Sequence, residues 1–409
     1  MTTRQSRHAL IGIVIGALMA GVLLPGGVAS AADEIVLGTA ISQTGKYARE
    51  GKFYVDAYTL AVDAVNKAGG VKVGARTSPL ALKLYDDQSD PSLSVRLFTK
   101  LVTSDKVNFL LGPYSSGITI PASAVAEKYE IPMIQGGGAS GKIFDRGYKY
   151  IFGTLPKAEL YFQSAIEAAT KLTPPVRTAA LLFSNEAFDR SVGEGARQWL
   201  KDAKIDKVYD EEYQPATQDF TSILAVIKTK NPDLILVAGH EENSLNFIRQ
   251  SQAAGVNPKM MVFTVGPPTG DFRKTLGKAA EYVYGVTPWL PDMEIGGDIF
   301  KSAREFDKQF QGRFGYAADY HVASGAADVL AFKAAIERAQ SLDPKKVRDA
   351  LAALDVETLY GRVKFESTGQ INMSQVLVQI LDSNVVPVYV NGKFVNKLVY
   401  PTPKWGERK

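Results

Sequence analysis

The 409-residue sequence contains no cysteine and only three histidines, His8, His240 and His321. The absence of cysteine excludes disulfides, thiolate zinc sites, iron–sulfur clusters and a cysteine nucleophile. It also excludes a lipobox, which requires a cysteine at the cleavage point. Three histidines are too few for a histidine-rich metal centre, and we expect the protein to hold neither a metal nor a cofactor.

Neither sign of charge is in large excess, since 47 Lys and Arg stand against 43 Asp and Glu for a formal net charge of +4. Apolar residues make up 45% and charged residues 22%, which is the composition of a globular protein rather than a disordered one. A balanced surface gives no reason to expect a nucleic acid or an anionic membrane as partner. The length exceeds that of one ordinary core and predicts two domains.

The first 31 residues have the pattern of a cleaved export signal. Arg4 and Arg7 precede an apolar run from Ala9 to Leu24, and Ala29-Ser30-Ala31 provides a small-x-small cleavage site. The run is shorter than the ~20 residues that a membrane span requires, which disfavours the alternative of an anchor. Cleavage after Ala31 would lower the net charge to +2, because the leader holds two basic residues and no acid. We therefore predict an exported, soluble protein.

Short β-branched runs alternate with longer amphipathic stretches along the rest of the chain. The predicted strands span 35–41, 80–85, 107–111, 131–134, 178–183, 233–238 and 260–265. The predicted helices span 53–65, 91–101, 118–129, 157–171, 189–203, 218–230, 241–254, 298–315, 320–340 and 344–354. A further strand at 362–365 and a hairpin-like pair at 375–381 and 385–390 follow. Two successive series of alternating strands and helices predict an α/β fold with two doubly wound parallel sheets.

One glycine-rich loop follows the predicted strand at 131–134. Gly136 to Lys142 fits the spacing of a phosphate-binding loop, but Ile143 stands where magnesium ligation requires Ser or Thr. A nucleotide site is therefore disfavoured. Two interpretations remain, a flexible turn or a loop whose backbone amides bind an anionic ligand group at the carboxyl end of a strand.

A second loop, Gly112 to Gly117, also follows a predicted strand and opens a helix. Ser115 and Ser116 there are either simple helix caps or donors to a carboxylate. His240 lies at the end of another strand and is as consistent with a ligand contact as with an ordinary loop residue. His321 lies in a helical stretch and is expected to be structural. No spacing suggests a hydrolase triad, and we expect no catalytic residue.

Several short segments, taken in order, carry a family resemblance. They are Ile35–Gly38, Thr44–Ala48, Ala61–Val71 with its Asn66-x-x-Gly69-Gly70 ending, Gly112–Ser116, Ile131–Ile134, Phe152–Thr154, Gln250–Gly255, Gly361–Phe365 and Gln379–Ile380. Their number and order resemble the periplasmic substrate-binding proteins of branched-chain amino acid ABC importers, over nearly all of the chain after the leader. The resemblance implies a type I periplasmic binding fold, in which two α/β lobes close on a ligand without chemistry.

The resemblance also implies the boundaries of the two lobes and the binding partners of the protein. Three crossings are expected near 153–155, 286–288 and 367–369, which gives lobe one as 32–154 plus 287–367 and lobe two as 155–286 plus 368–409. The expected partners of this monomer are a small amino acid or organic acid and the permease subunits of an ABC transporter. Because the lipid-anchored version of the family needs a cysteine, a freely diffusing periplasmic receptor is expected. The alternative is an exported sensory module of the same fold, of the amide or urea type.

Only some of the ligand contacts implied by the family have clear counterparts in this chain. The carboxylate-binding serine corresponds to Ser116, or to Ser115 if the register slips by one. The next loop places Gly137 and Ala139 at contact positions, and an aromatic cover corresponds to Phe188. The further candidates are Gly138, Ser140, His240, Tyr47, Arg49, Tyr114 and Pro268, of which His240 or Arg49 would pair with a polar end of the ligand.

The largest departure concerns the ligand's ammonium group. Amino-acid binders of this family carry an acid after the strand that corresponds to 260–265, whereas this sequence has no acid there until Asp271. A buried ammonium without a carboxylate partner is costly. The sequence therefore predicts a carboxylate ligand without an α-amino group, such as an aromatic or branched acid.

Overall fold

The computed structural model describes residues 34–408, so the predicted leader and its cleavage site lie outside the described residues. Within that range no helix combines the length and apolar character needed to cross a membrane. The strands are β1 Ile35–Ile41, β2 Val71–Val73, β3 Arg76–Ser78, β4 Leu80–Asp86, β5 Phe109–Leu111, β6 Met133–Gln135, β7 Ile151–Gly153, β8 Thr178–Ser184, β9 Asp206–Tyr213, β10 Leu234–Ala238, β11 Met260–Phe263, β12 Tyr284–Thr287, β13 Val356–Thr358, β14 Gly361–Val363, β15 Val376–Leu381, β16 Asn384–Val390 and β17 Lys393–Phe394. The α-helices are α1 Ala48–Lys67, α2 Pro91–Thr103, α3 Ser116–Lys128, α4 Gln163–Thr170, α5 Ala187–Asp202, α6 Thr221–Lys230, α7 Glu241–Ala254, α8 Gly270–Leu276, α9 Ala303–Phe314, α10 Tyr320–Ala339 and α11 Pro344–Ala352.

The first sheet has the strand order β4-β1-β5-β6-β7, and all of its pairs are parallel. Helices α1, α2, α3 and α10 contact this sheet or one another, and α9 and α11 pack on α1 and α10. We call this sheet with its helices lobe one. Asp90 caps α2, since Leu93 N donates to Asp90 Oδ1 at 2.7 Å and Pro91 occupies the first turn.

The second sheet has eight strands in the order β17-β16-β15-β12-β11-β10-β8-β9. The five strands from β12 to β9 run parallel, and β15, β16 and β17 add an antiparallel meander that contains the predicted hairpin. Helices α4 to α8 pack on this sheet or on one another, and together they form lobe two. The prediction of two doubly wound α/β lobes is confirmed.

The chain passes between the two sheets at three places, and two of these lie side by side. Gly153 N donates to Gly369 O at 2.9 Å, and Ile371 N donates to Gly153 O at 3.0 Å. The remaining passage follows β12, where the Trp289 indole donates to Leu359 O at 2.9 Å. This arrangement brings the carboxyl ends of both parallel sheets to the same interface.

Candidate functional site

A small cavity lies where the carboxyl ends of the two sheets face each other, the place where open α/β sheets bind ligands. Its lining comprises Tyr114, Ser115, Ser116, Gly137, Ala139, Leu155, Tyr161, Phe188, His240, Val265, Tyr320 and His321. The cavity has a volume of about 20 Å³, which accommodates little more than a water molecule. The lobes must therefore separate before a solute of ordinary size can enter.

Seven of the residues predicted from the sequence meet in this cavity. They are Tyr114, Ser115, Ser116, Gly137, Ala139, Phe188 and His240. Five other candidates do not line it, namely Tyr47, Arg49, Gly138, Ser140 and Pro268. The cavity wall includes five residues that had no place among the predicted ligand contacts, namely Leu155, Tyr161, Val265, Tyr320 and His321.

The serine loop presents two hydroxyls at the start of α3. Ser115 is the N-cap of the helix, and its side chain makes no capping hydrogen bond. Ser116 Oγ accepts hydrogen bonds from Ala139 N at 3.1 Å and Ser140 N at 3.2 Å, which leaves its own proton free to donate. The first amides of a helix have no partner within it, so this end of α3 suits a negatively charged group.

The glycine-rich loop does not offer its amides as the sequence suggested. Gln135 Oε1 accepts from Gly137 N at 3.0 Å and Gly138 N at 2.5 Å, and its Nε2 donates to Gly138 O at 2.8 Å. The amides of Ala139 and Ser140 are occupied by Ser116, as described above. The expected anion-binding amides are thus already satisfied within lobe one. Only a three-residue 3₁₀ helix, Gly141–Ile143, follows the loop, unlike the long helix of a nucleotide site.

His240 connects the lobes at one wall of the cavity. Its Nδ1 lies 3.0 Å from Tyr114 Oη, and its Nε2 lies 3.2 Å from Glu186 Oε2, too misaligned for a hydrogen bond. Burial alone would lower the pKa of His240, but the nearby Glu186 and Asp189 outweigh it and raise that pKa to about 9. Burial favours a higher pKa for Glu186, yet His240 and Lys46 hold that pKa at about 2. The imidazole and the carboxylate therefore form a buried ion pair.

His321 lines the opposite wall, although the sequence suggested only a structural role. Its Nδ1 lies 3.1 Å from Asp319 Oδ2, and its ring stacks on Tyr320 with centroids 3.9 Å apart. Asp319 also caps α10, since it accepts from the backbone N–H groups of His321 and Val322. An Asp-x-His pattern at a helix start was the signal that could have identified this residue.

Aromatic rings provide much of the remaining wall. Phe188 of lobe two contacts Tyr161 edge-on, with ring centroids 5.1 Å apart. Tyr114 of lobe one contacts His321 and His240 edge-on, with both pairs of centroids 5.7 Å apart. Such edge-to-face pairs hold the rings in fixed orientations. The cavity is thus walled by aromatic and small residues, with two imidazoles and no acidic side chain in its lining.

Two of the outlying candidates hold the lobes together. Tyr47 Oη donates to Glu186 Oε1 at 3.0 Å. Arg49 forms ion pairs at 2.7 Å with both Glu241 and Asp271, so its guanidinium is not available to a ligand in this conformation. Burial raises the pKa of Glu241 to about 8 even though Arg49 opposes this shift.

The other three outlying candidates lie around the edge of the cavity. Ser140 Oγ lies 2.8 Å from Ser191 Oγ of lobe two and forms another contact between the lobes. Gly138 is held by Gln135 on the lobe-one side. Pro268 lines a separate cavity of about 550 Å³ that also contacts Arg273 and Trp289.

Three comparisons with known proteins identify the family and the fold. The family model described as "Periplasmic binding protein" matches residues 34–384. The Leu/Ile/Val-binding protein homolog 7 of Brucella abortus is 24% identical over 96% of this chain and 99% of its own. Relatives of this kind favour a transport receptor over the sensory alternative.

Solved structures show the same fold. The branched-chain amino acid transporter substrate-binding protein LivJ of Streptococcus pneumoniae, in complex with isoleucine, superposes with a TM-score of 0.77 at 21% identity, covering 88% of this chain and 100% of its own. An ABC transporter solute-binding protein of R. palustris, in complex with benzoate, has a TM-score of 0.75 at 20% identity, covering 87% and 96%. Because the family model spans most of the sequence, the chain belongs to the periplasmic binding protein family.

Proposed function

We propose that this chain is a solute receptor of an ABC importer, which captures a small carboxylate between its lobes and delivers it to the permease. The observation that carries the proposal is the cavity at the facing carboxyl ends of the two sheets, with seven residues predicted from the sequence in its wall. Family membership supports the same role. The proposal includes removal of residues 1–31 on export, with the mature protein acting as a periplasmic monomer.

Ligand capture in this proposal is a hinge motion about the three crossings. The proposed lobe boundaries are 32–154 plus 287–367 and 155–286 plus 368–409. The hydrogen bonds between Gly153 and the 369–371 segment support a shared hinge for two of the crossings. A few residues at such crossings can absorb the change in backbone angles while the lobes move as rigid bodies.

The start of α3 is the proposed seat of the ligand carboxylate. Ser115 and Ser116 bring two hydroxyl groups to the cavity, and the N-terminal end of the helix favours negative charge. Charge-assisted hydrogen bonds from hydroxyl and amide donors are stronger than neutral ones. For a carboxylate bound here, these hydrogen bonds would replace the ones that it loses on leaving water.

The remainder of the cavity favours a ligand that carries no ammonium group. Its described lining has no acidic side chain, and the carboxylates of Glu186 and Asp319, which lie beside the two lining histidines, are each engaged by a histidine. An ammonium in this cavity would be buried with no carboxylate in the wall that it contacts. Aromatic walls and imidazole edges instead suit an aromatic carboxylate, and the R. palustris relative was solved with benzoate.

A thermal-shift screen of the purified protein tests this function. Benzoate-type acids should raise the melting temperature, because a ligand at ~100-fold its Kd stabilises the folded state by about 2.7 kcal/mol. Alanine at both Ser115 and Ser116 should abolish the shift. Alanine at Ser92, an exposed serine in the first turn of α2, should leave it unchanged. A shift with neutral amides or sugars, but with no carboxylate, would contradict the proposal.

A further inference from the structure

Three side chains that commonly bind metals meet beside the cavity, and all belong to lobe two. Glu186 is the N-cap of α5, Asp189 lies in the first turn of the same helix, and His240 is the N-cap of α7. One donor atom from each lies within 4.8 Å of the other two. Small rotamer adjustments would place all three donors around a single ion at ordinary coordination distances.

Two of these donors lack hydrogen-bond partners although they are buried. Asp189 Oδ1 and His240 Nε2 make no hydrogen bond with any residue from 34 to 408. Asp189 is completely buried and His240 is 9% exposed. Unpartnered buried polar atoms are rare and costly in folded proteins. A cation between these atoms would satisfy both of them at once.

The opposite edge of each donor group is held by a second hydrogen bond or contact. Ser184 Oγ donates to Asp189 Oδ2, and Tyr47 Oη donates to Glu186 Oε1 at 3.0 Å. His240 Nδ1 lies 3.0 Å from Tyr114 Oη, so Nδ1 can keep its proton while a metal displaces the Nε2 proton that faces Glu186. Such outer contacts orient metal ligands and fix the histidine tautomer.

An access route from solvent reaches two of the three donors. A cavity of about 260 Å³ is lined by Glu186 and His240, and its rim also includes Lys46, Glu50 and Glu242. The ammonium of Lys46 contacts Glu186 and would compete with a metal for that carboxylate.

From this geometry we propose that Glu186, Asp189 and His240 form a binding site for a divalent transition metal, of which zinc is the best match. Zinc binds imidazole nitrogen and carboxylate oxygen, and three protein ligands leave a fourth position open. Magnesium prefers all-oxygen sites and retains its water, so it fits this donor set poorly. The few histidines of the sequence exclude a histidine-rich centre, but they do not exclude a mixed one.

Calorimetric titration of Zn²⁺ into the metal-stripped protein, free of any polyhistidine tag, tests the site without any organic ligand. One Zn²⁺ should bind per chain, and Mg²⁺ at the same concentration should give no binding. The substitutions Asp189→Asn and His240→Gln should each weaken Zn²⁺ binding at least tenfold. The matched control Glu242→Gln changes a neighbouring rim carboxylate and should leave the Zn²⁺ affinity unchanged.

A further variant gives a change of opposite sign. Lys46→Gln removes the competing ammonium and should strengthen Zn²⁺ binding severalfold, a result that general damage to the fold would not produce. Circular dichroism and melting curves of each variant verify folding. Absence of a stoichiometric Zn²⁺ site in the wild-type protein would overturn the proposal. Loss of binding in Glu242→Gln with full binding in Asp189→Asn would also overturn it.

Discussion

Two imidazoles set the polarity of the cavity wall, and each is held by its own carboxylate. His240 pairs with Glu186, and His321 pairs with Asp319. Because both carboxylates are already engaged, the residues that face the cavity act mainly as hydrogen-bond donors. A solute with acceptor groups therefore suits this wall better than one with a free ammonium.

Phe188 is the lobe-two ring that would cover an aromatic ligand. Phe188→Leu keeps most of the volume but removes ring–ring contacts, which are worth about 0.5–1.5 kcal/mol. We expect benzoate affinity to fall roughly two- to twelvefold, and the melting temperature of the ligand-free protein to fall modestly because the contact with Tyr161 is lost as well. Phe394→Leu changes an aromatic side chain that is 39% exposed and far along the chain, and calorimetry should show no effect on affinity. Equal losses in both variants would contradict the role of Phe188.

Asp328 is a buried acid that lies behind the cavity, and its state of protonation can be tested. Burial raises the pKa of Asp328 well above its usual range, although Thr154 and Tyr58 donate hydrogen bonds to it. Because the folded protein keeps this proton while the unfolded chain ionises, the wild-type protein loses stability as the pH rises above the ordinary aspartate pKa. Tyr58 Oη also lies 3.3 Å from Gly112 O, so it can turn its proton there and accept from an amide.

The melting temperature of Asp328→Asn should therefore rise relative to that of the wild type as the pH increases from the ordinary aspartate range toward neutrality. Melting curves across this pH range measure the difference between the two proteins. A constant difference at every pH would show that the wild-type carboxyl does not retain its proton in the folded state.

At the scale of elements, the strands with continuous apolar runs were predictable, and the polar or short strands were not. β1, β8, β10 and the β15–β16 hairpin lie close to their predicted bounds. β9 was missed because its sequence, DKVYDEEY, is rich in charge, as suits an exposed edge strand. β7 and β12 are only three and four residues long, which is too short for a periodic signal.

The same distinction holds for the site. Loops that directly follow strands were predicted, because the carboxyl ends of parallel strands are where ligands bind. Leu155 and His321 were not, since the crossings and α10 bring them to the cavity from distant parts of the sequence. The side chain of Gln135 occupies two amides of the glycine-rich loop, and it does so through one side-chain conformation that no sequence pattern specifies.

The glycine-rich loop packs so closely that one of its glycines has no room for a side chain. A Cβ on Gly137 would lie 2.4 Å from Pro113 O and 2.9 Å from Tyr114 Cα. Gly137→Ala should therefore destabilise the protein by about 1–3 kcal/mol, as overpacking does. Gly312→Ala, at a position in α9 with nothing within 4 Å, should be neutral or stabilising by about 0.5–1 kcal/mol. Urea unfolding distinguishes these outcomes, and equal stability of the two variants would contradict the close approach.

At the scale of the whole molecule, the two lobes are joined by polar contacts around a nearly filled cavity. Arg49 reaches Glu241 and Asp271, Tyr47 reaches Glu186, and Tyr114 reaches His240. A ligand must enter a more open form, and closure then restores these contacts. Any group that favours the closed form therefore contributes to affinity without touching the ligand.

Arg49→Gln removes a guanidinium that contacts both Asp271 and Glu241 across the lobes. We expect benzoate affinity to fall roughly two- to tenfold, because the closed form loses an interaction that partly exposed charges make only modestly strong. Small-angle scattering should show a larger radius of gyration. Arg190→Gln removes the contact with Glu212 within lobe two and should change neither quantity. An effect of Arg190→Gln equal to that of Arg49→Gln would contradict closure as the cause.

The central claim is that the cavity takes a carboxylate without an α-amino group. Isothermal titration calorimetry of the purified protein with benzoate and with leucine, under identical conditions, tests that claim most directly. Our account predicts one saturable benzoate site per chain, at least a hundredfold tighter than any leucine binding. Micromolar binding of leucine with no detectable binding of benzoate would contradict it.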